Sequence, residues 1–381
     1  MNTDARFPEQ PLPLWRRAVL KVGSSLLTDA GVLSDRHART LAEFIHGARA
    51  AGRDVVLVSS GAVAGGRAQL STSTQGGGLV LRQALAALGQ MPMMALWQRL
   101  LSAPVAQVLL SHDDLRNRRR YLNARNTLLE LLRLGVVPVV NENDTVAVEE
   151  LKLGDNDNLA AIVAALVDAD LLLIASDVDG LYTAHPLQDP RAQPVPAVAA
   201  ITAEILAMAG AAGSVHGTGG MRTKLEAAQK AASAGIDTIL FNGGDADAAG
   251  KLATGTFHGT HIKAPGSRLA ARKYWLKHAP GSGAAILIDA GAARALAGGA
   301  SLLPGGIAGV DGEFARGDIV EIVMMNDTSR VARGLCQYNA KEVARVAGRH
   351  TRDIEGLLGF SYGDSIVRRD DLVLLIEAVP A

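Results

Sequence analysis

The chain has 381 residues, with 38 Lys and Arg against 38 Asp and Glu, so its formal net charge is zero. Apolar residues make up 48% and charged ones 20%, which allows a large core over two domains, or three. The balance excludes a generally basic nucleic-acid binder, and the single cysteine, Cys336, excludes a disulfide framework or a thiolate metal cluster and fits a reducing cytoplasm.

Residues 1–16 are polar and proline-marked, and the apolar run Ala18-Val19-Leu20 is too short for a signal peptide. The most apolar stretch, Leu159–Ala175, is cut by Asp168 and Asp170, so it is not a membrane span and the expectation is a soluble protein. Arg17–Val22 reads as a strand running into Gly23-Ser24-Ser25, a turn whose N–H groups and hydroxyls suit phosphate oxygens, with Lys21 beside it. It lacks the Walker A spacing. Ser34–Ala50 reads as an amphipathic helix capped by Ser34, and Asp54–Ser59 as a strand opening into Ser60-Gly61-Ala62-Val63-Ala64-Gly65-Gly66. Strand, glycine turn and helix have then occurred twice, which predicts a parallel α/β sheet. A loop over 71–78, a helix over Leu79–Leu88 and a strand over Val105–Leu110 follow. The arginines at 116, 118, 119 and 120 suit a solvated face or an oligomer contact.

The stretch Val136–Ala161 is where the chemistry is expected. A short strand broken by Pro138 ends in Asn141-Glu142-Asn143-Asp144, and a second polar knot, Gly154-Asp155-Asn156-Asp157-Asn158, precedes a helix from Leu159. Asp155, Asn156 or Asp157 could cap that helix. One such knot reads as a turn. Two of them, bracketing one loop at a strand's carboxyl end and a helix's start, sit where open α/β sheets bind ligands. Asp170–Ala175 is a further strand, ending in Ser176-Asp177-Val178-Asp179-Gly180-Leu181-Tyr182, and 183–197 are irregular. Gly217-Thr218-Gly219-Gly220-Met221-Arg222-Thr223-Lys224 then opens a helix over Leu225–Ala234, and Asp237–Phe241 closes the series of strands. A glycine-rich loop with a lysine at a helix start is either a phosphate site or a surface hinge.

In this order KVGSS, SSGAVAGG, NEND, GDNDN, SDVDGLY and GTGGMRTK resemble the amino-acid kinase family, and within it the glutamate 5-kinases, over residues 15–260. Ser301–Ile307 and Arg316-Gly317-Asp318 resemble a PUA domain. The resemblance implies a leader (1–15), a kinase domain (16–261), a linker (262–282), a PUA domain (283–367) and a C-terminal segment (368–381). It implies an open, mainly parallel sheet sandwiched by helices, with a second, small, mostly-β domain. It also implies transfer of a phosphoryl group from ATP to L-glutamate, the first step of proline synthesis. Lys21 looks like the ATP-phosphate lysine, with Gly23 and Ser24 in its loop. Ser60, Asp144 and Asn156 match glutamate-holding positions, and Ser176 and Asp177 the nucleotide side. Thr218, Gly219, Gly220, Met221, Arg222, Thr223 and Lys224 match the loop over the phosphates. Lys224 is the second transition-state lysine, and Asp157 orients both lysines. Mg²⁺ is expected to bridge the nucleotide phosphates without a dedicated protein metal site. Further implied are proline as feedback inhibitor (with the Arg116–Arg120 region taking part), a homo-oligomer and the next enzyme of the pathway as partner. One departure is His185, where the family has Asp in Thr-Ala-Asp-Pro; the leader is assigned no role.

The C-terminal part alternates strands and turns, Ala285–Ile288, Ile319–Met324 and Leu372–Ile376, with a helix over Ala340–Ala347. PUA modules often bind RNA. Leu276–Ala381, however, holds eleven Lys and Arg against thirteen Asp and Glu, and its aromatics are only Phe314, Tyr338, Phe360 and Tyr362, which argues against an RNA surface. The alternatives are a sister kinase for aspartate or N-acetylglutamate, and an RNA-binding protein with an inactive kinase fold. Intact Lys21, Asp157 and Lys224 speak against decay.

Overall fold

The structure, a computed structural model, describes residues 6–70, 78–146, 156–186, 188–209, 220–266, 273, 276, 281–327 and 329–375, the side chains of His112, Arg116 and Arg118 excepted. Two compact units divide the chain, Met1–Asn117 with Asn123–Arg268, and Arg118–Leu122 with Leu269–Ala381.

The elements begin with β1 (Glu9–Pro11), β2 (Arg17–Val22), α1 (Ser24–Leu27), the hairpin β3 (Thr28–Asp29) and β4 (Val32–Leu33), and α2 (Ala38–Ala50). Next come β5 (Asp54–Ser59), α3 (Ala62–Arg67), α4 (Leu79–Leu100), β6 (Val105–Leu110), α5 (His112–Arg116), α6 (Arg118–Arg133) and β7 (Val137–Glu142). Then follow α7 (Asn156–Leu166), β8 (Leu171–Ser176), β9 (Ala197–Val198), α8 (Ala203–Met208), α9 (Met221–Ser233) and β10 (Asp237–Asn242). The run ends with α10 (Ala248–Thr254), β11 (Thr256–His258) and β12 (Thr260–Ile262).

Eight of these strands form one sheet in the order β6-β7-β5-β2-β8-β10-β12-β9. From β6 to β10 every pairing is parallel, and β12 joins β10 antiparallel. The central strands are near-continuous apolar runs because a parallel sheet is covered on both faces; all six residues of β8 are buried. The series does not close at β10, since β12, three residues long, carries too short a pattern to stand out in sequence. Residues before β2 are part of this unit as well. β1 pairs antiparallel with β11, and Phe7 is buried.

Several helices begin or end away from their expected positions; α7 already starts at Asn156, so Asn156 and Asp157 lie inside it rather than capping it. Ser34 does not cap α2: its Oγ accepts from Arg36 N–H at 3.3 Å, and the helix starts only at Ala38 after His37. The fourth helix does not stop at Leu88 but runs on to Leu100 through Gly89 and Pro92. Gly89 is where α4 touches α3: a Cβ there would lie 1.7 Å from Ala62 O. Burial of Met93, Leu96 and Trp97 in the main core holds the half of α4 that Pro92 weakens. By length and composition alone α4 could cross a membrane, but this inner face is packed inside the unit. The ninth helix starts at Met221, with Gly220 as N-cap, so Lys224 stands in its first turn.

In the second unit, β13 (Ala285–Ile288), α11 (Ala290–Ala297), β14 (Ile307–Asp311), β15 (Ile319–Met324) and β16 (Arg330–Cys336) precede α12 (Ala340–Val346), α13 (Ile354–Leu358) and β17 (Val367–Leu374). The sheet order is β14-β13-β15-β16-β17, with only β13 and β15 parallel. Ile286, Ile322, Tyr338 and Val343 are among its fully buried core residues. β17 starts at Val367 rather than Leu372, so residues past 367 complete this sheet.

Candidate active site

Parallel strands linked by crossover helices place strand carboxyl ends and helix N-termini along one edge of the sheet. Near the carboxyl end of β2, Lys21 is buried, and its Nζ lies 2.5 Å from Asp157 Oδ1. Asp157 is the second residue of α7 and has no exposed surface. Its other oxygen, Oδ2, is 3.2 Å from Lys224 Nζ and 3.1 Å from Thr223 Oγ1, both on α9. One carboxylate thus bridges two buried ammonium groups, with charge-assisted bonds that offset their loss of water. One net positive charge remains at the start of two helices whose first N–H groups also favour an anion.

A second cluster occupies the neighbouring strand ends. The Asn156 amide, first in α7, donates from Nδ2 to Ser60 Oγ at 2.8 Å and to Asn141 Oδ1 at 3.0 Å. Asn141 is buried in β7, and Ser60 follows β5. Ser60 leads into Gly61, whose φ of 102° is open to glycine but strained for other residues. Behind it, Trp97 Nε1 donates to Ser59 Oγ at 2.7 Å, and Ser59 Oγ donates to Ser60 O at 3.0 Å. This relay ties the Ser60 peptide to the core of α4.

The third group lies beyond β8 and β10. Ser176 is buried and its Oγ donates to Asp177 Oδ1 at 3.2 Å, while Gly243 N–H holds Ser176 O at 2.9 Å. Asp177, Val178 and Asp179 are exposed. The Asn242 amide bonds Asp179 Oδ1 at 2.8 Å, and Tyr182 OH bonds Oδ2 at 3.2 Å. Burial and the charge of Asp179 push the Tyr182 hydroxyl up to about 12, so it stays a proton donor.

Of the residues singled out in sequence, Lys21, Asp157, Thr223 and Lys224 meet, as do Ser60 and Asn156. A Cβ on Gly23 would lie 3.6 Å from Lys21 Nζ, which puts that turn beside the lysine. Ser24 opens α1 and is exposed. Asp144 is half-buried in the turn that closes with Val146 N–H on Asn143 O. Gly220 caps α9 and Met221 opens it, both half-buried, whereas Arg222 is spent on Glu226, 3.0 Å away on the exposed helix face. His185 is exposed, with its carbonyl accepting from Gln188 and Asp189 N–H. Thr218 and Gly219 lie outside the described residues, as do Gly154 and Asp155. Asn141 was missed, although it heads the NEND knot; its position at a buried strand end was the available signal. Ser59 and Trp97 carried no local signal for their bond.

Comparison with known proteins shows the family. The model of the amino acid kinase family matches residues 16–242, and that of the PUA domain matches residues 284–358. The glutamate 5-kinase of Xylella fastidiosa (strain M12) is 62% identical over 377 residues, covering 97% of this chain and 98% of its own. That of Xanthomonas campestris pv. campestris (strain 8004) is 62% identical over 362 residues, 94% of this chain and all of the relative. Among solved structures, UMP kinase from Bacillus anthracis aligns at a TM-score of 0.46 and 14% identity, over 66% of this chain and 96% of that one. A family match over more than half the chain, joined to near full-length relatives at this identity, leads to one conclusion. The chain belongs to the amino acid kinase family and carries a PUA domain behind the kinase unit.

Proposed function

We propose that the protein is an ATP-dependent kinase that phosphorylates the γ-carboxylate of L-glutamate, giving L-glutamyl 5-phosphate, the first step of proline synthesis. The observation that carries the reading is the buried Lys21–Asp157–Lys224 bridge at the sheet edge, beside the Ser60–Asn156–Asn141 cluster. A glutamate side chain, of reference pKa about 4.3, is already ionised at neutral pH and needs no general base. The remaining task is to hold two anions in line and neutralise charge on the transferring phosphoryl group. Lys21 and Lys224 do this, both held in place by Asp157. The amide and hydroxyl groups of Asn156 and Ser60, with Asp144, hold glutamate, and Ser176 and Asp177 face the nucleotide. Mg²⁺ neutralises phosphate charge when it arrives with ATP.

The same reading extends to proline as a feedback inhibitor competing at the glutamate cluster, to a cytoplasmic location, and to a homo-oligomer that also meets the next enzyme of the pathway. The exposed apolar face of α4, with Val80, Leu88 and Met91, supports self-association. The test is a hydroxylamine trap, because an acyl phosphate made from glutamate becomes a hydroxamate. ATP- and Mg²⁺-dependent hydroxamate from L-glutamate is expected; preference for aspartate or N-acetylglutamate would sink the assignment.

A further inference from the structure

We infer that Phe7, held by β1, is a positioning residue for the nucleotide-side loop 176–182, an inference that rests on that loop's role proposed above. Phe7 is 4% exposed. Its ring meets Tyr182 edge-on, with centroids 5.1 Å apart at 81°. It also occupies the space where Gly180 would carry a side chain, because a Cβ there would lie 2.8 Å from Phe7 Cζ. The ring therefore presses directly on the backbone of the loop.

The anchors of Phe7 are separate from the loop itself. Gln10 pairs with Phe257 across the two strands, and its Nε2 donates to Gly259 O at 2.9 Å and Pro196 O at 3.2 Å. Leu12 N–H donates to Gly255 O at 2.8 Å. His258 Nδ1 lies 2.8 Å from Phe7 O, and since a carbonyl only accepts, the ring nitrogen carries the proton. On its other sides the loop is held by the Asn242–Asp179 bond and by Thr260 Oγ1, which accepts from Leu181 N–H at 2.8 Å and donates to Val195 O at 2.7 Å. Phe7 completes this clamp at Gly180, a residue type with wide backbone freedom. Without the ring the loop samples further conformers, and the nucleotide binds only the fraction that presents Asp177 correctly. The residues proposed to hold glutamate, Ser60 after β5, Asp144 after β7 and Asn156 in α7, share none of these anchors.

The experiment uses the full chain with Phe7→Ala, Phe7→Leu, Gln10→Ala and Asp177→Ala, reading KM for ATP, KM for glutamate, kcat and Tm. Phe7→Ala is expected to raise KM for ATP about 5- to 10-fold, with KM for glutamate changed by less than about 2-fold. Phe7→Leu, which refills most of the space, recovers most of that loss. Gln10→Ala loosens β1 without touching the loop or the core, and raises KM for ATP about 2- to 3-fold. A fall in Tm with KM for ATP unchanged in the Phe7 and Gln10 variants would make Phe7 a packing residue only and overturn the inference. Should Phe7→Ala not fold, Gln10→Ala decides by the same criterion. If Asp177→Ala raises KM for ATP while the Phe7 and Gln10 variants do not, the inference falls alone. If Asp177→Ala leaves it unchanged, the loop's assignment falls and takes the inference with it.

Discussion

Asp157 has no solvent to stabilise its charge, so Lys21, Lys224 and the Thr223 hydroxyl must do so. Each lysine in turn is fixed by the shared carboxylate, which under the proposed function preorganises both ammonium groups for the charge that develops on the phosphoryl group. Lys224→Ala is therefore expected to lower kcat by at least about 10²-fold, the scale for losing one preorganised transition-state contact. Steady-state kinetics check it, and an effect confined to KM for ATP would reduce Lys224 to a binding group. At this scale the sequence was most legible. The glycine turns and the second polar knot made Lys21, Asp157 and Lys224 candidates, the family resemblance implied their roles, and the structure brings the three together. Asn141 could have been added from its strand end. The Trp97–Ser59 bond could not, because its partners are 38 residues apart and neither has a patterned neighbour.

Among the elements, β12 depends on a clip that responds to pH. Asp237, first in β10, accepts from His261 Nε2 at 2.9 Å and from Ala264 N–H at 2.8 Å, both at or just past β12. Burial alone would raise the Asp237 carboxyl, but the His261 and Ala264 bonds outweigh it and hold the pKa below its ordinary value. A depressed folded-state pKa contributes stability that is present above the unfolded value, about 3.9, and lost as pH falls through the folded value. Asp237→Asn should therefore lower Tm at neutral pH and flatten the acid limb of the Tm–pH curve below about pH 4. A variant whose acid limb matches the parent would show that other carboxylates set it. The helix α4 shows where element reading stops working. Gly89 and Pro92 are local stop signals, yet the helix continues because α3 packs backbone to backbone against Gly89 and the core takes up Met93 and Trp97. Such tertiary overrides leave no mark in a local window. Strands such as β8, buried on both faces, were legible within a residue at each end.

For the whole molecule, every residue assigned to chemistry lies in the first unit, and Lys263 N–H on Val198 O and Ala264 N–H on the Asp237 carboxylate tie down its end among the described residues. A chain ending at Gly266 is expected to fold and to keep hydroxamate formation from glutamate, with changes confined to regulation or assembly. Circular dichroism with the trap checks both, and a folded but inactive product would mean that the PUA unit completes the site. The succession of strands and helices along the first unit was legible because the motifs recur with helical spacing between them, whereas the grouping of Arg118–Leu122 with the second unit left no local mark. The role of residues 6–15 was not, since β1 is three residues long and its partner β11 begins at Thr256, 245 residues after Pro11. The shared carboxylate of Asp157 has a consequence for how the enzyme is made. It joins a strand near the beginning of the chain to a helix near the end of the unit, so no growing or clipped chain lacking α9 can be partly active. Catalysis switches on only when the last crossover docks, and turnover in a denaturant series should track the native population one for one.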